Sequence, residues 1–404
     1  MNNKIKLAVA GAVFSAASVA NAGIVIPAGD WTLDVNGNVN AYANFSSHDN
    51  EGTVAGTLLG LYGTGNASNT GSEGSTQGIN TGLLPAWLGF TGTTRQNDVD
   101  VSFTISMQPN VSNNNATGDV KAPLFRQAFL TFGDKSWGTV KMGKDIGIFA
   151  QDAILNDMTL LGVGGGFRNS GVSTTTGGIG SGYIYAAWKG QMAYTTPNMN
   201  GFQATVGITN PNQIDNNSLG GSPKDQTGFG VEAKASYEWS GDVSGKVWAS
   251  TAQYSNVKSG SYANDGSAYD IQMYDIGVNI NSGNLGLVAY YYDGEGGGNG
   301  VLGYFGANST GKERDANGGY VQGTYVIPTG TKLGVAYGTT QLDKANSSDT
   351  ANLMDETNRW TVGAYHPLTK HLNLVAEYND IEIESHNGID NDAQAISLGA
   401  ILFF

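Results

Sequence analysis

The sequence predicts an all-β protein, a transmembrane antiparallel β-barrel of 16 strands, on the strength of three observations. Apolar and polar residues alternate with period two along the chain. The connections between these runs are alternately short and long. The chain also opens on an export signal, and no later apolar stretch is long enough to cross a bilayer as a helix.

The alternation is residue by residue. Trp31, Leu33, Val35, Val39, Ala41 and Phe45 are interleaved with Thr32, Asp34, Asn36, Asn38, Asn40 and Asn44. Val99 to Met107, Phe202 to Ile208 and Phe229 to Trp239 repeat the pattern. Each run is near the ~9–11 residues a tilted strand needs to span a bilayer, with one face to lipid and one to the lumen. Such strands average out as polar, which accounts for the mean hydropathy of -0.22.

Short links fall at Gln96–Asp98, Gly133–Trp137, Pro197–Asn200, Gly241–Asp242, Asn281–Asn284, Pro328–Gly330 and Pro367–Lys370. Long polar links fall at Ser47–Gly82, Asn110–Ala122, Ile146–Ser181, Asn210–Gln226, Val257–Tyr269, Gly294–Ala316, Asp343–Asp355 and Ser385–Asp392. Short periplasmic turns on one side and long extracellular loops on the other are the pattern of bacterial outer-membrane barrels. Backbone amides facing hydrocarbon have no water to bond, so the first strand, starting near Gly29, is expected to pair with the last, ending at Phe404. Tyr194, Tyr237, Trp239, Trp360 and Tyr378 lie near strand ends and are candidates for aromatic girdles.

Residues 1–22 read as a signal peptide: Lys4 and Lys6, an apolar stretch from Leu7 to Ala20, then Ala20-Asn21-Ala22 before Gly23. Residues 23–404 then form one barrel domain, whose formal charge moves from -14 to -16 as two lysines leave. The absence of cysteine removes disulfides, thiolate metal sites and thiol catalysis together. The acidic balance argues against nucleic acid as a partner. Histidines 48, 366, 371 and 386 are scattered and suggest no metal site, and no cofactor is expected. The Gly306 to Lys312 segment imitates a phosphate loop, but Glu313 stands where a hydroxyl should hold magnesium. No nucleophile constellation is evident, so no enzyme is expected.

Several segments together resemble the general porins of Gram-negative bacteria, the sixteen-stranded trimeric type. They are Phe125-Arg126-Gln127-Ala128-Phe129, Trp137 to Lys144, Pro197-Asn198-Met199-Asn200-Gly201-Phe202 and the terminal Phe404. The resemblance covers essentially the whole mature chain. It implies a homotrimer in the outer membrane, with lipid and lipopolysaccharide around it and small hydrophilic solutes and ions passing through. It also implies that the third long loop, Ile146 to Ser181, folds into the lumen. The loop's own composition agrees: Asp152 and Asp157 sit among Phe149, Ile154, Leu155, Leu160 and Leu161, which an exposed loop has no reason to carry. The family's basic ladder would be represented by Arg126 and Lys144, and Lys189 alternates with Trp188 and Met192 so as to face the lumen. At other ladder positions stand Trp87, Thr91 and Ala193, so the basic wall is thinned. Arg126 and Lys144 are expected to face Asp152 or Asp157 across a constriction, with a weak cation preference.

Three functions follow: passive diffusion, a substrate-selective channel with an aromatic track (Trp87, Tyr183, Tyr185 and Tyr290), or a barrel that mainly displays its loops. N-terminal sequencing of the protein from outer membranes is expected to start at Gly23; a start at Met1 or Asn2 would overturn the signal-peptide reading.

Overall fold

The computed structural model describes residues 23–57, 72–109, 124–165, 174–210, 228–257 and 268–404. Residues 1–22, read above as a signal peptide, and much of several long links lie outside them. The strands are β1 (Ile24–Ala28), β2 (Trp31–Asn50), β3 (Ser72–Asn80), β4 (Trp87–Gln96), β5 (Val99–Gln108), β6 (Leu124–Asp134) and β7 (Gly138–Ile146). They continue as β8 (Trp188–Thr195), β9 (Phe202–Thr209), β10 (Gly230–Trp239), β11 (Val243–Val257), β12 (Tyr269–Ser282) and β13 (Leu285–Glu295). The last five are β14 (Asp315–Val326), β15 (Lys332–Leu342), β16 (Met354–Pro367), β17 (Leu372–Ser385) and β18 (Asp390–Phe403).

Each segment from β4 onward pairs antiparallel with the next, and β18 returns to β2, so the sheet closes. The seam runs from Asn391↔Asn50 to Phe403↔Asn38, and Gly37 and Phe404 exchange backbone hydrogen bonds of 2.8 and 3.0 Å at its end. Closure leaves no unpaired edge in the hydrocarbon layer. β3 and β4 both pair with β2 and are two halves of one broken stave, which makes 16 staves from β2 to β18.

The alternation read from sequence is the inside–outside alternation of the wall. On β2, Val39 and Phe45 face outward and are half exposed, while Asn38, Asn40, Tyr42 and Asn44 are buried inward. Tyr194, Tyr237, Trp360 and Tyr378 are likewise exposed on the outside. All seven short links are turns. One two-residue link, Asn97-Asp98, has both residues at positive φ (49° and 60°), the hairpin turn that suits the twist of its strands.

Three boundaries differ from those read in the sequence. The first stave starts at Trp31, and Ile24–Ala28 form an extra strand that folds back on it from Val35 to Trp31. That strand occupies the edge of β2 beyond the point where β18 runs out. The Ser47–Gly82 link contains β3, and the stave breaks instead at residues 81–86, where Pro85 lacks a donor. Side-chain amides of β2 replace the lost ladder: Asn38 donates to Pro85 O (2.9 Å), Asn40 to Leu84 O (3.0 Å), and Asn40 Oδ1 accepts from Gly82 N (2.9 Å). Lastly, β17 and β18 approach so closely that their connection is only residues 386–389.

The loop from β7 to β8 lies inside the barrel, as the sequence suggested. Its wall contacts are close enough to demand glycine. A Cβ on Gly338 of β15 would sit 2.2 Å from the Ser181 carbonyl oxygen. Gly338→Val is therefore expected to push the loop off the wall and cost about 1–3 kcal/mol, measured as a lower unfolding temperature of the detergent-solubilised protein. An unchanged temperature would show that the loop does not bear on β15.

Candidate functional site

The in-folded loop carries helix α1 (Gln151–Asn156) and a 3-10 turn (Met158–Leu161). Its apolar side chains meet an aromatic inner wall. Phe149, Ala153, Ile154, Tyr183 and Ile184 share a buried cluster with Trp248, Tyr254, Tyr290, Tyr292 and Tyr320 of β11 to β14. Leu160 and Leu161 pack on a second cluster that contains Tyr42, Leu84 and Phe403. This is the burial that the loop's Leu and Ile content called for.

Irregular backbone inside a barrel has donors that no strand satisfies, and wall carboxylates take them. Glu232 Oε2 accepts from Ile148 N (2.6 Å) and Phe149 N (2.9 Å). Asp275 Oδ2 accepts from Ala150 N (3.2 Å), whose residue is held in the left-handed region at φ 58°. Glu377 Oε2 accepts from Val163 N and Gly164 N (2.8 Å each). Gln322 bridges the middle, taking Met158 N (2.7 Å) and donating to Asn156 O (3.1 Å). Tyr42 and Tyr320 donate to Leu161 O (2.6 Å) and Ala153 O (2.8 Å). The loop is thus anchored from β10 across β12, β14 and β17 to β2.

Asp152 points from α1 between two lysines, Lys234 of β10 and Lys246 of β11, each 2.7 Å away. Burial pushes its carboxyl up, but the two ammonium groups outweigh that and hold it down at about 2. Asp157 turns into the loop instead. It accepts from Thr159 N (2.9 Å), Gly178 N (3.1 Å) and Tyr183 OH (2.8 Å). Burial and the Asp157 carboxylate push the Tyr183 phenol well up, so it remains a donor. Lys189 faces inward, as its alternation indicated, and is buried in an ion pair with Glu232 at 2.7 Å.

Arg126 and Lys144 are not brought to Asp152 or Asp157, contrary to expectation. Lys144 alternates with Asp145, whose side chain accepts from Gln127 at 3.1 Å on the inner face, and Arg126 sits where the β5–β6 register shifts. Lys144 is exposed on the other side, donating to Phe125 O (2.9 Å), and the Arg126 guanidinium lies 5.9 Å from the Trp188 ring centre. The period of the strand decides this: Lys144 pairs with Ala128 and Gly190, next to the outward Met142–Met192 pair. The lysine of β7 that shares the face of Asp145 is Lys141, at 2.5 Å from it.

The aromatic candidates are also displaced from any open track. Tyr183 on the loop and Tyr290 beneath it are both buried, and Tyr185 accepts from Trp188 Nε1 at 2.5 Å. Trp87 is half buried, donates to Asn36 at 3.3 Å and lies against Phe403. Sequence reasoning missed Lys246, Glu377 and Asp275. The alternation from Phe229 to Trp239 puts Glu232 and Lys234 on the polar face of their strand, but nothing in the chain announces that Lys234 meets Asp152.

A closed membrane-spanning barrel whose lumen is narrowed by one of its own loops points to a channel. The sequence matches the family model described as Gram-negative porin over residues 7–386, and the chain belongs to that family. It is an outer-membrane channel for the passive diffusion of small solutes. Comparison with curated proteins finds no match. Among solved structures, it is similar to the outer membrane channel DcaP of Acinetobacter baumannii, with 17% identity, TM-score 0.64, and 95% of this chain and 100% of that one covered. It is also similar to the anion-selective porin of Comamonas acidovorans, with 16% identity, TM-score 0.60, and coverage of 93% and 100%. The trimer form of OmpT from Vibrio cholerae aligns at 14% identity and TM-score 0.54, with coverage of 93% and 99%. At these identities the likeness is one of fold.

Asp152 generates a pH prediction. Its carboxyl titrates lower in the folded protein than in the unfolded chain, so its contribution is fully present above about pH 4 and is lost as pH falls toward 2. Asp152→Asn is expected to lower stability by at least about 2 kcal/mol at pH 7. The gap between the two unfolding curves should shrink between pH 4 and 2. A gap independent of pH would remove the charge from the account.

Proposed function

We propose that the channel is a general diffusion pore with little charge selectivity, constricted at α1 of the third loop and working as a homotrimer set in lipopolysaccharide. The observation that carries this is the local neutralisation of the loop. Asp152 is balanced by Lys234 and Lys246, and Lys246 also approaches Glu238 at 3.5 Å. Charges on outer loops are screened over about 8 Å in physiological salt, so the acidic balance of the whole chain is felt weakly at α1. The weak cation preference expected from sequence required Asp152 to be opposed only by a thinned ladder, and Lys234 and Lys246 remove that premise. Across from the loop, β4 to β6 offer hydroxyl and amide groups, with Thr91 bonded to Thr104 and Ser102 to Thr131. Such a wall suits hydrated polar solutes of either sign. Asp152, Asp157 and Lys189 then belong to the constriction as ion-paired or hydrogen-bonded parts of its frame, while Lys144 belongs to the outer face and Arg126 lies against Trp188. The trimer rests on family membership and on the trimer form known for the Vibrio cholerae relative.

Purified protein in a planar bilayer is expected to give open-channel steps in potassium chloride, with a reversal potential near zero in a salt gradient. Steps that saturate with one solute would favour a substrate-selective channel, and the absence of steps a display barrel. On a semi-native gel, unheated protein should run at roughly three times the mass of the heated chain.

A further inference from the structure

Beneath the third loop, at the barrel end closed by the short turns, lies a cavity of about 530 Å³. It is bounded by the underside of the loop, the inner wall from β10 to β15 and Phe403 of β18. Gly283 and Asn284 of the β12–β13 turn form part of its rim, so it opens toward the periplasm. Five charged residues line it: Asp152, Asp157, Glu238, Lys246 and Lys332.

Four of the five are committed. Asp152 and Lys246 hold each other at 2.7 Å, Glu238 stands 3.5 Å from Lys246, and Asp157 spends its oxygens on Thr159, Gly178 and Tyr183. Lys332 is different. Leu333 beside it is exposed on the lipid face, so Lys332 faces inward and cannot reach headgroups along the outer wall. Its ammonium lies 5.2 Å from the ring centre of Tyr365 on the neighbouring strand, and among the described residues no hydrogen bond or ion pair engages it. Tyr365 is itself fixed, donating to Glu377 at 2.7 Å. A half-buried ammonium steadied over a ring and left without an anion is a recognition group awaiting one.

We propose that this cavity is a solute subsite on the periplasmic side of the constriction, in which Lys332 binds the carboxylate of a small monocarboxylate with a compact apolar body. The apolar part of the solute is met by Leu84, Leu160, Leu161 and Phe403, which line the cavity. Asn281 and Gln322 supply neutral hydrogen-bonding groups beside them. Asp152 does not repel the carboxylate, because Lys234 and Lys246 already neutralise it. A volume of this size admits a single-ring acid and excludes large ones. The inference rests on the channel reading and adds to it a weak, saturable site within an otherwise general path.

The test is single-channel recording with sodium benzoate as the probe and benzyl alcohol as its uncharged counterpart. Benzoate is expected to interrupt the open current in a saturable way, and benzyl alcohol is not. Lys332→Gln should weaken the interruption at least about fivefold, and Lys332→Arg should retain it. Thr324 shares the inner face one step from Lys332, since Val326 pairs with Lys332 and Thr324 with Gly334. Thr324→Asp would give the ammonium a carboxylate and should remove the interruption even if Lys332→Gln folds poorly. Normal step size in potassium chloride certifies each variant as folded. Equal block by benzyl alcohol, or block unchanged in Lys332→Gln and Thr324→Asp, overturns the subsite. A wild-type protein with normal steps and no benzoate interruption also overturns it while leaving the channel reading intact. No steps at all would sink the channel reading instead.

Discussion

The structure depends on how backbone amides are satisfied where no strand can reach them. In the wall, closure answers the problem, because every stave has two neighbours and the last residues bond Gly37. Inside the barrel the third loop is irregular, and Glu232, Asp275 and Glu377 take its donors in pairs and singly. A carboxylate is suited to this because it accepts through two oxygens and binds N–H groups about twice as strongly as a neutral acceptor. The cost is a buried negative charge, and each site offsets it locally. Lys189 pairs with Glu232, Ser250 and Tyr290 donate to Asp275, and Tyr365 donates to Glu377. The aromatic inner wall follows from the same need, since phenols fill volume and also supply the donors that carboxylates want.

This arrangement divides what the sequence shows from what it hides. Period-two alternation is a local property, so the staves, their faces and their turns could be read directly from runs such as Val231 to Trp239. The third loop stood out because it is too apolar for open solvent. What could not be read is any pairing between strands distant in sequence. Asp152 meets Lys234 and Lys246, 82 and 94 residues away, and Glu377 meets Gly164 across 213. Lys144 shows the converse hazard. A one-residue difference of phase puts a side chain on the opposite face of a strand, so a motif that resembles a ladder position says little until the phase is counted from a residue of known direction. Asp145, bonded to Lys141 on the inner face, supplies that reference here.

Neutralisation on the loop also bears on how a narrow polar passage avoids trapping ions. An isolated carboxylate at a constriction would attract a cation and hold it, slowing the next one. A carboxylate flanked by two lysines, one of them near a further glutamate, leaves a mixed field that falls off within a few ångströms. In the proposed general pore, ions and neutral solutes would then meet similar barriers, with passage limited chiefly by size. The same logic makes Lys332 conspicuous, because among the described residues no hydrogen bond or ion pair engages its ammonium.

The extracellular mouth extends the principle from one loop to several. Residues 296–314 fold over the lumen, with glycines at positive φ at 298, 300 and 303 allowing tight turns. Tyr185 of the third loop donates its N–H to Gly300 O at 2.6 Å, and Asn299 donates to Gly56 O at 2.6 Å. Arg314 grips Asp349 with two bonds of 3.0 and 2.6 Å, tying this loop to the one before β16. Under it, Leu342, Leu353, Met354, Ile381 and Ile383 form an apolar cluster on the inner wall from β15 to β18. Tyr185 joins the mouth to the loop that carries α1, and Leu302 and Ala307 lie in the same buried cluster as Phe149, Ile154 and Tyr183. The mouth and the narrowing are therefore parts of one docked assembly, and the wall carboxylates that hold the third loop also fix the frame on which the lid rests.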